Sequence, residues 1–163
     1  MDSNLNLSIG LKGQLKLNAQ VVPLQEGYLK LGGIVNATNQ PNGLAFGLVV
    51  SANPDDTSQI VAGLSDGNIV RGISVFDDSI AQNAPAHSGK YLAGMPCSFA
   101  SRGLVKITDW QSGKDPVIGY KVEFADATGK IGFVASSADE DNTLLTGATV
   151  VEVTDDGAYV WLG

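Results

Sequence analysis

The chain has 163 residues, a formal net charge of −7, and 17% charged against 44% hydrophobic residues. A chain of this length can fold as one domain without disulfides or metals. Its ten basic residues are scattered singly, which excludes a nucleic-acid partner because phosphate binding requires clustered lysine and arginine. The low share of charged residues suits a protein that lies against other proteins.

The N-terminal sequence MDSNLNLSIG has neither the basic region nor the apolar region of a signal peptide. No apolar stretch approaches the ~18 residues that a membrane-spanning helix requires. We therefore expect a protein that is made in the cytoplasm and has no membrane partner.

The first predicted element is a long amphipathic strand. Between residues 5 and 17 apolar and polar side chains alternate almost strictly, and the apolar positions are Leu5, Leu7, Ile9, Leu11, Leu15 and Leu17. Fully extended, this segment spans roughly 43 Å at ~3.3 Å per residue, whereas a domain of this size has a radius of gyration of ~15 Å. Either the segment bends inside its own barrel at Gly10 or Gly13, or it reaches another chain. We predict an extended N-terminal arm over 1–24, whose six apolar residues bind a partner, and a core over 25–163.

The remaining sequence is typical of an all-β fold. Short runs of Val, Ile, Leu and Phe are separated by glycine turn signals, and the chain contains 20 glycines. This spacing predicts a small barrel or sandwich of short antiparallel strands. The turn signals are Asn42-Gly43, Asp66-Gly67-Asn68, Ser88-Gly89, Ser112-Gly113, Thr128-Gly129, Thr146-Gly147 and Asp156-Gly157.

Residues 77–89 interrupt the strand pattern. Asp78 to Asn83 is the best helix candidate, one or two turns long, with Asp77 as its N-cap. His87, the single histidine, follows in a loop of small residues. Gly63-Leu64-Ser65-Asp66-Gly67 has the Gly-x-Ser-x-Gly spacing, but it runs into a turn signal and no helix pattern follows it, so it does not form a nucleophile elbow. A surface position is therefore favoured over a catalytic one for His87.

Three hairpins are predicted in the C-terminal part. Each joins two alternating runs across a glycine turn. They pair 95–99 with 104–108, 119–124 with 130–135, and 149–154 with 158–162.

In the last hairpin we expect Val151, Val153, Tyr159 and Trp161 to face the core. Trp110 and Trp161 are the aromatic residues that could serve as platforms for a sugar, although core packing is favoured for Trp161.

The residues that could carry chemistry are few. Cys97 is the only cysteine, lies in an apolar run, and is expected to be a buried structural thiol. One histidine and one cysteine cannot build a closed zinc site. The acidic run Asp139-Glu140-Asp141-Asn142 lacks the spacing of a calcium loop and is interpreted as a solvated loop. We therefore predict no catalytic residues, no cofactor and no metal.

A series of strand and glycine motifs resembles the cement, or capsid-decoration, proteins of tailed bacteriophages. The resemblance covers roughly 46–135. Its motifs are Phe46-Gly47-Leu48-Val49-Val50, Ala62-Gly63, Val70-Arg71-Gly72-Ile73-Ser74-Val75, Tyr91-Leu92-Ala93-Gly94-Met95-Pro96, Gly103-Leu104-Val105-Lys106-Ile107, Gly119-Tyr120-Lys121-Val122 and Thr128-Gly129-Lys130-Ile131.

This resemblance implies a non-enzymatic structural protein of the virion. Proteins of this kind lie on the outer surface of the capsid, are often trimeric, and bridge subunits of the major capsid protein. The implied β-barrel and extended arm agree with the strand pattern. A carbohydrate-binding or adhesin-like β-module is the alternative function, for which exposed aromatic side chains on one sheet face would be the signature.

Overall fold

The computed structural model describes residues 29–77 and 89–163, together with the backbone of Gln20–Val21. These residues are all-β, as predicted. In the described parts of the chain, no helix has the length and apolar character to cross a membrane. The predicted helix from Asp78 to Asn83 and the loop residue His87 lie outside the described residues.

Within the described residues, twelve strands form one large sheet and one small ribbon. They are β1 (Gln20–Val21), β2 (Leu29–Val35), β3 (Leu44–Ala45), β4 (Val49–Asn53), β5 (Asp56–Ala62), β6 (Ile69–Ser74), β7 (Lys90–Tyr91), β8 (Pro96–Ile107), β9 (Lys121–Ala125), β10 (Ile131–Val134), β11 (Asn142–Thr154) and β12 (Gly157–Leu162).

A five-stranded barrel forms the first half of the molecule. The strands follow the order β8-β2-β5-β4-β6, and β6 returns to pair with β8, which closes the barrel. The predicted barrel is thus confirmed, with one difference. Strands β2 and β5 are parallel, with Val35 opposite Ile60, so the barrel is mixed rather than antiparallel. The small ribbon of β3 and β7 pairs Leu44 with Tyr91.

The second half of the molecule continues the sheet from β8 in the order β8-β12-β11-β9-β10. Two predicted hairpins are confirmed here. One is β9–β10, with Phe124 opposite Ile131, and the other is β11–β12, with Val150 opposite Val160. Both turns contain the glycine that the sequence indicated, Gly129 and Gly157.

The predicted hairpin of 95–99 with 104–108 is wrong, because both runs belong to the single 12-residue strand β8. The N-terminal half of β8 pairs with β2 and β6, and its C-terminal half pairs with β12 and β1. Each half of β8 therefore pairs with strands from other parts of the chain, and the two halves do not pair with each other. Gly103, with φ of 114°, lies where the partners change and still pairs with Leu162.

The predicted inward face of the last hairpin is also largely wrong. Tyr159 is buried, but Val151, Val153 and Trp161 are 46%, 40% and 37% exposed. The core-facing set is the even-numbered one, with Ala148 and Val150 on β11 opposite Leu162 and Val160 on β12, so Trp161 faces outward. A β-bulge between Val150 and Glu152 leaves Val151 without a partner on β12. The buried residues of this hairpin are Ala148, Val150, Gly157, Ala158, Tyr159, Val160 and Leu162.

The core is one continuous hydrophobic cluster that spans both halves. In the barrel, the rings of Phe46 and Tyr91 meet edge to face with centroids 5.2 Å apart. In the second half, Phe124 and Val160 are fully buried. The halves meet again away from β8, where the turn of the β9–β10 hairpin contacts β4 and Gly129 O accepts a hydrogen bond of 2.8 Å from Val49 N.

Candidate interaction surfaces

The six predicted partner-binding residues, Leu5, Leu7, Ile9, Leu11, Leu15 and Leu17, lie outside the described residues. The segment that follows them is anchored on the core. Strand β1 pairs with the C-terminal half of β8, Gln20 opposite Lys106 and Val21 opposite Val105. Gln20 and Val21 are therefore part of the sheet, at the edge of β8.

The face of the sheet next to β1 contains an unusual lysine. Lys106 lies opposite Tyr159 on β12 and is only 1% exposed. Burial lowers the pKa of Lys106, while the negative charge of Asp156 acts in the opposite direction. Within the described residues its Nζ has no hydrogen-bond partner. Trp161, two residue pairs further along the same two strands, is partly exposed.

The second half of the molecule exposes four aliphatic side chains, Val117, Ile118, Val151 and Val153, which are called the apolar tip. These side chains are 49%, 66%, 46% and 40% exposed. The loop and β11 are joined at Val150, whose carbonyl oxygen accepts a hydrogen bond of 2.8 Å from Gly119 N. Exposed aliphatic groups that cluster in this way are typical of protein contact surfaces. Sequence reasoning missed this tip, although an apolar pair between Pro116 and Gly119 in a loop was a readable signal.

Polar side chains surround Asp77, the last described residue before 78–88. Asp77 is 7% exposed, and its Oδ2 accepts a hydrogen bond of 2.8 Å from Ser98 Oγ and lies 2.9 Å from Lys30 Nζ. Nearby, Tyr91 Oη donates a hydrogen bond of 2.5 Å to Val75 O. Side chains from β2, β7 and β8 thus fix the point where the chain leaves the barrel.

The acidic run 139–142 is partly engaged in an ion-pair network. Lys114 Nζ contacts Asp139 Oδ2 and lies 2.5 Å from Glu123 Oε1. Glu123 is fully buried, and its other oxygen, Oε2, accepts a hydrogen bond of 3.2 Å from Asp139 N. The contact of Oε1 with Lys114 is an ion pair without hydrogen-bond orientation. The two carboxylates raise the pKa of Lys114. Asp139 therefore joins a structural network, and across 29–77 and 89–163 no group of three metal-ligating side chains occurs.

The aromatic residues offer little support for a sugar platform. Trp110 is half-buried, packs edge to face on Phe133 with centroids 5.7 Å apart, and donates its Nε1 hydrogen to Asp115 Oδ1 over 3.0 Å. Trp161 is the only aromatic among the large exposed hydrophobic residues of the described chain. A carbohydrate-binding face built from several aromatic rings is therefore absent from the described residues.

Cys97 is buried, as predicted. Burial raises the pKa of its thiol from 9.0 to about 12, and a backbone hydrogen bond from Gly33 opposes this shift. Burial also raises the pKa of Tyr91.

These shifts predict a loss of stability at alkaline pH. The folded protein retains a proton on Cys97 between pH 9 and 12 that the unfolded chain releases. Below pH 9 the free energy of unfolding is not reduced by this group. As the pH rises from 9 towards 12, the release of the Cys97 proton in the unfolded chain lowers the free energy of unfolding by about 1.4 kcal/mol per pH unit. Urea unfolding from pH 8 to pH 10 should show a shallower decline for Cys97→Ala than for the unmodified protein. Parallel declines in the two proteins would contradict this assignment.

The family model described as structural cement protein (E217 gp24/Pam3 gp6) matches residues 2–163. The chain belongs to this family of phage cement proteins. No curated protein sequence matches the chain. The match extends well beyond 46–135, where the sequence motifs had indicated the resemblance, and it includes both the arm and the last hairpin.

Family membership makes this cement protein a non-enzymatic structural component of the virion that associates with the capsid. The prediction of a structural protein without enzymatic activity is therefore confirmed.

Proposed function

We propose that this cement protein binds the outer surface of the capsid and bridges neighbouring subunits of the major capsid protein. The observation that carries this proposal is the family match over residues 2–163. The apolar tip supports it, because exposed aliphatic groups of this kind are what a protein interface buries. A standard interface buries about 1,600 Å² in total, and many such contacts over a shell add up through multivalency.

The N-terminal arm, residues 1–24, is proposed to bind a neighbouring chain, either a sister subunit or the major capsid protein. Alternation of the six apolar residues calls for a cover on one face of the strand. Addition to a strand of another chain would supply this cover and satisfy the backbone groups together. The position of β1 on β8 supports this arrangement, since it anchors the C-terminal end of the arm on the sheet of its own chain.

The cement protein is further proposed to act as a homotrimer, at least on the shell. This proposal follows from the resemblance to decoration proteins and from the low share of charged residues. The native mass of the purified protein, free and after extraction from the shell, tests it. A strictly monomeric protein bound as single copies would contradict it.

Deletion of residues 1–12 is expected to leave a folded core and to weaken shell binding by about tenfold or more, because apolar burial by the arm is lost. The measurement is co-sedimentation of the purified chain with capsids that lack it. Far-ultraviolet circular dichroism and thermal unfolding of the truncated chain report whether the core is intact.

A matched pair of variants separates the apolar face from the length of the arm. Replacing Leu5, Leu7, Ile9 and Leu11 by serine should reproduce the loss of binding, whereas replacing Asn6, Ser8 and Lys12 by alanine should not. Unfolding of the truncated chain, or undiminished binding, would show that the arm belongs to its own barrel.

A further inference from the structure

A cleft opens where β8 changes its partner from β6 to β12. In chain order, Ala100 is the last residue of β8 that pairs with β6, and Gly103 is the first that pairs with β12. The cleft between the diverging strands has a volume of about 370 Å³. Residues 70–72 line one side of it and residues 143–146 line the other.

Two strand segments lack a partner on one edge at this cleft. Residues 69–72 of β6 pair with β4, and residues 142–144 of β11 pair with β9. No other strand among the described residues pairs with either segment. A strand edge with unpaired N–H and C=O groups is a template for an added strand. The cleft therefore offers backbone hydrogen bonds to an extended chain.

Arg71 is directed by a bulge at the same place. It is the extra residue of β6 opposite the pair Val50–Ser51, and a bulge of this kind re-aims a side chain. Its Cζ lies 5.5 Å from the centroid of the Phe99 ring, and its Nε is buried without a hydrogen-bond partner in the described part of the chain. Among the described residues that line the cleft, none has an acidic side chain. The guanidinium thus packs against an aromatic ring and has no carboxylate among the lining residues.

We propose that this cleft binds an extended, acid-bearing segment of the major capsid protein. The segment adds to the open edges of β6 and β11, its carboxylate meets Arg71, and its apolar side chains contact Val70 and Leu144. A lone cation among apolar and uncharged groups, in a chain of net charge −7, selects a segment that carries one acidic residue. The choice of the shell protein as the source of this segment rests on the proposed function.

Hydrogen exchange of the intact protein, free and bound to capsids that lack it, tests the proposal without a variant. Amides of 69–72 and 142–146 are expected to exchange more slowly in the bound state. In a parallel binding assay, Arg71→Gln should weaken binding by about ten- to a hundredfold, as expected for a hydrogen bond between charged groups. Arg102→Gln, at an exposed arginine of β8, is the matched control and should bind like the unmodified protein.

The outcomes distinguish this proposal from the one on which it rests. If the protein binds the capsid while both segments exchange as in the free state, or if folded Arg71→Gln binds unchanged, the cleft is not the site and the proposed function stands. If the unmodified protein does not bind the capsid at all, both proposals are overturned.

Discussion

Gly129→Ala is expected to destabilise the protein by about 2–5 kcal/mol, through a positive φ and a steric conflict together. Gly129 has φ of 77°, and a Cβ at this position would lie 2.4 Å from Val49 O and 2.8 Å from Gly63 N. These backbone atoms cannot move without breaking the contact between the β9–β10 turn and β4. Urea unfolding monitored by circular dichroism measures the loss.

Gly113→Ala is the matched control, because Gly113 has a nearly identical φ of 76° and no atom within 4 Å of the added Cβ. Its cost should be the backbone strain alone, about 1–2 kcal/mol. Equal losses of stability in the two variants would show that the close approach of the β9–β10 turn to β4 adds no steric cost to that of the positive φ.

Lys114→Met is expected to lower Tm by about 5–10 °C, because it removes the ion-pair partner of the buried Glu123 side chain. The double variant Lys114→Met/Glu123→Leu should recover most of this loss, since an apolar pair of similar size removes the buried charge. Calorimetry of the two proteins against the unmodified chain measures both effects.

Lys130→Met provides the comparison for an exposed ion pair. Lys130 Nζ lies 3.5 Å from Asp109 Oδ2, and the two side chains are 43% and 71% exposed. Pairs of this kind contribute little, so Tm should change by no more than about 2 °C. A similar fall in Lys130→Met and Lys114→Met would mean that burial of Glu123 is not the cause.

The sequence predicted those parts of the fold that local signals determine. The β9–β10 and β11–β12 hairpins follow from alternation on either side of a glycine turn, and both were found. The buried thiol of Cys97 followed from its apolar neighbours. The family resemblance followed from strand motifs and agrees with the match over residues 2–163.

The errors concern features that depend on distant parts of the chain. Ser101-Arg102-Gly103 has the composition of a turn, but Arg102 pairs with Leu29 and Gly103 with Leu162, so the strand continues. Val151 and Trp161 are exposed because the even-numbered side chains of the hairpin face the core, and alternation alone does not say which of the two sets is buried. The cleft beside Arg71 likewise exists because β12 ends and β6 diverges, and no local sequence pattern predicts how these distant strands are placed.

The continuity of β8 also has a consequence for how the protein comes apart. This strand belongs both to the barrel and to the second half of the sheet, so neither half keeps a complete set of strands after the other has melted. The one hydrophobic cluster crosses the same boundary. The two halves should therefore act as one cooperative unit, with a single heat-absorption peak. A cement subunit built in this way fails all at once under stress, rather than by gradual fraying from one end.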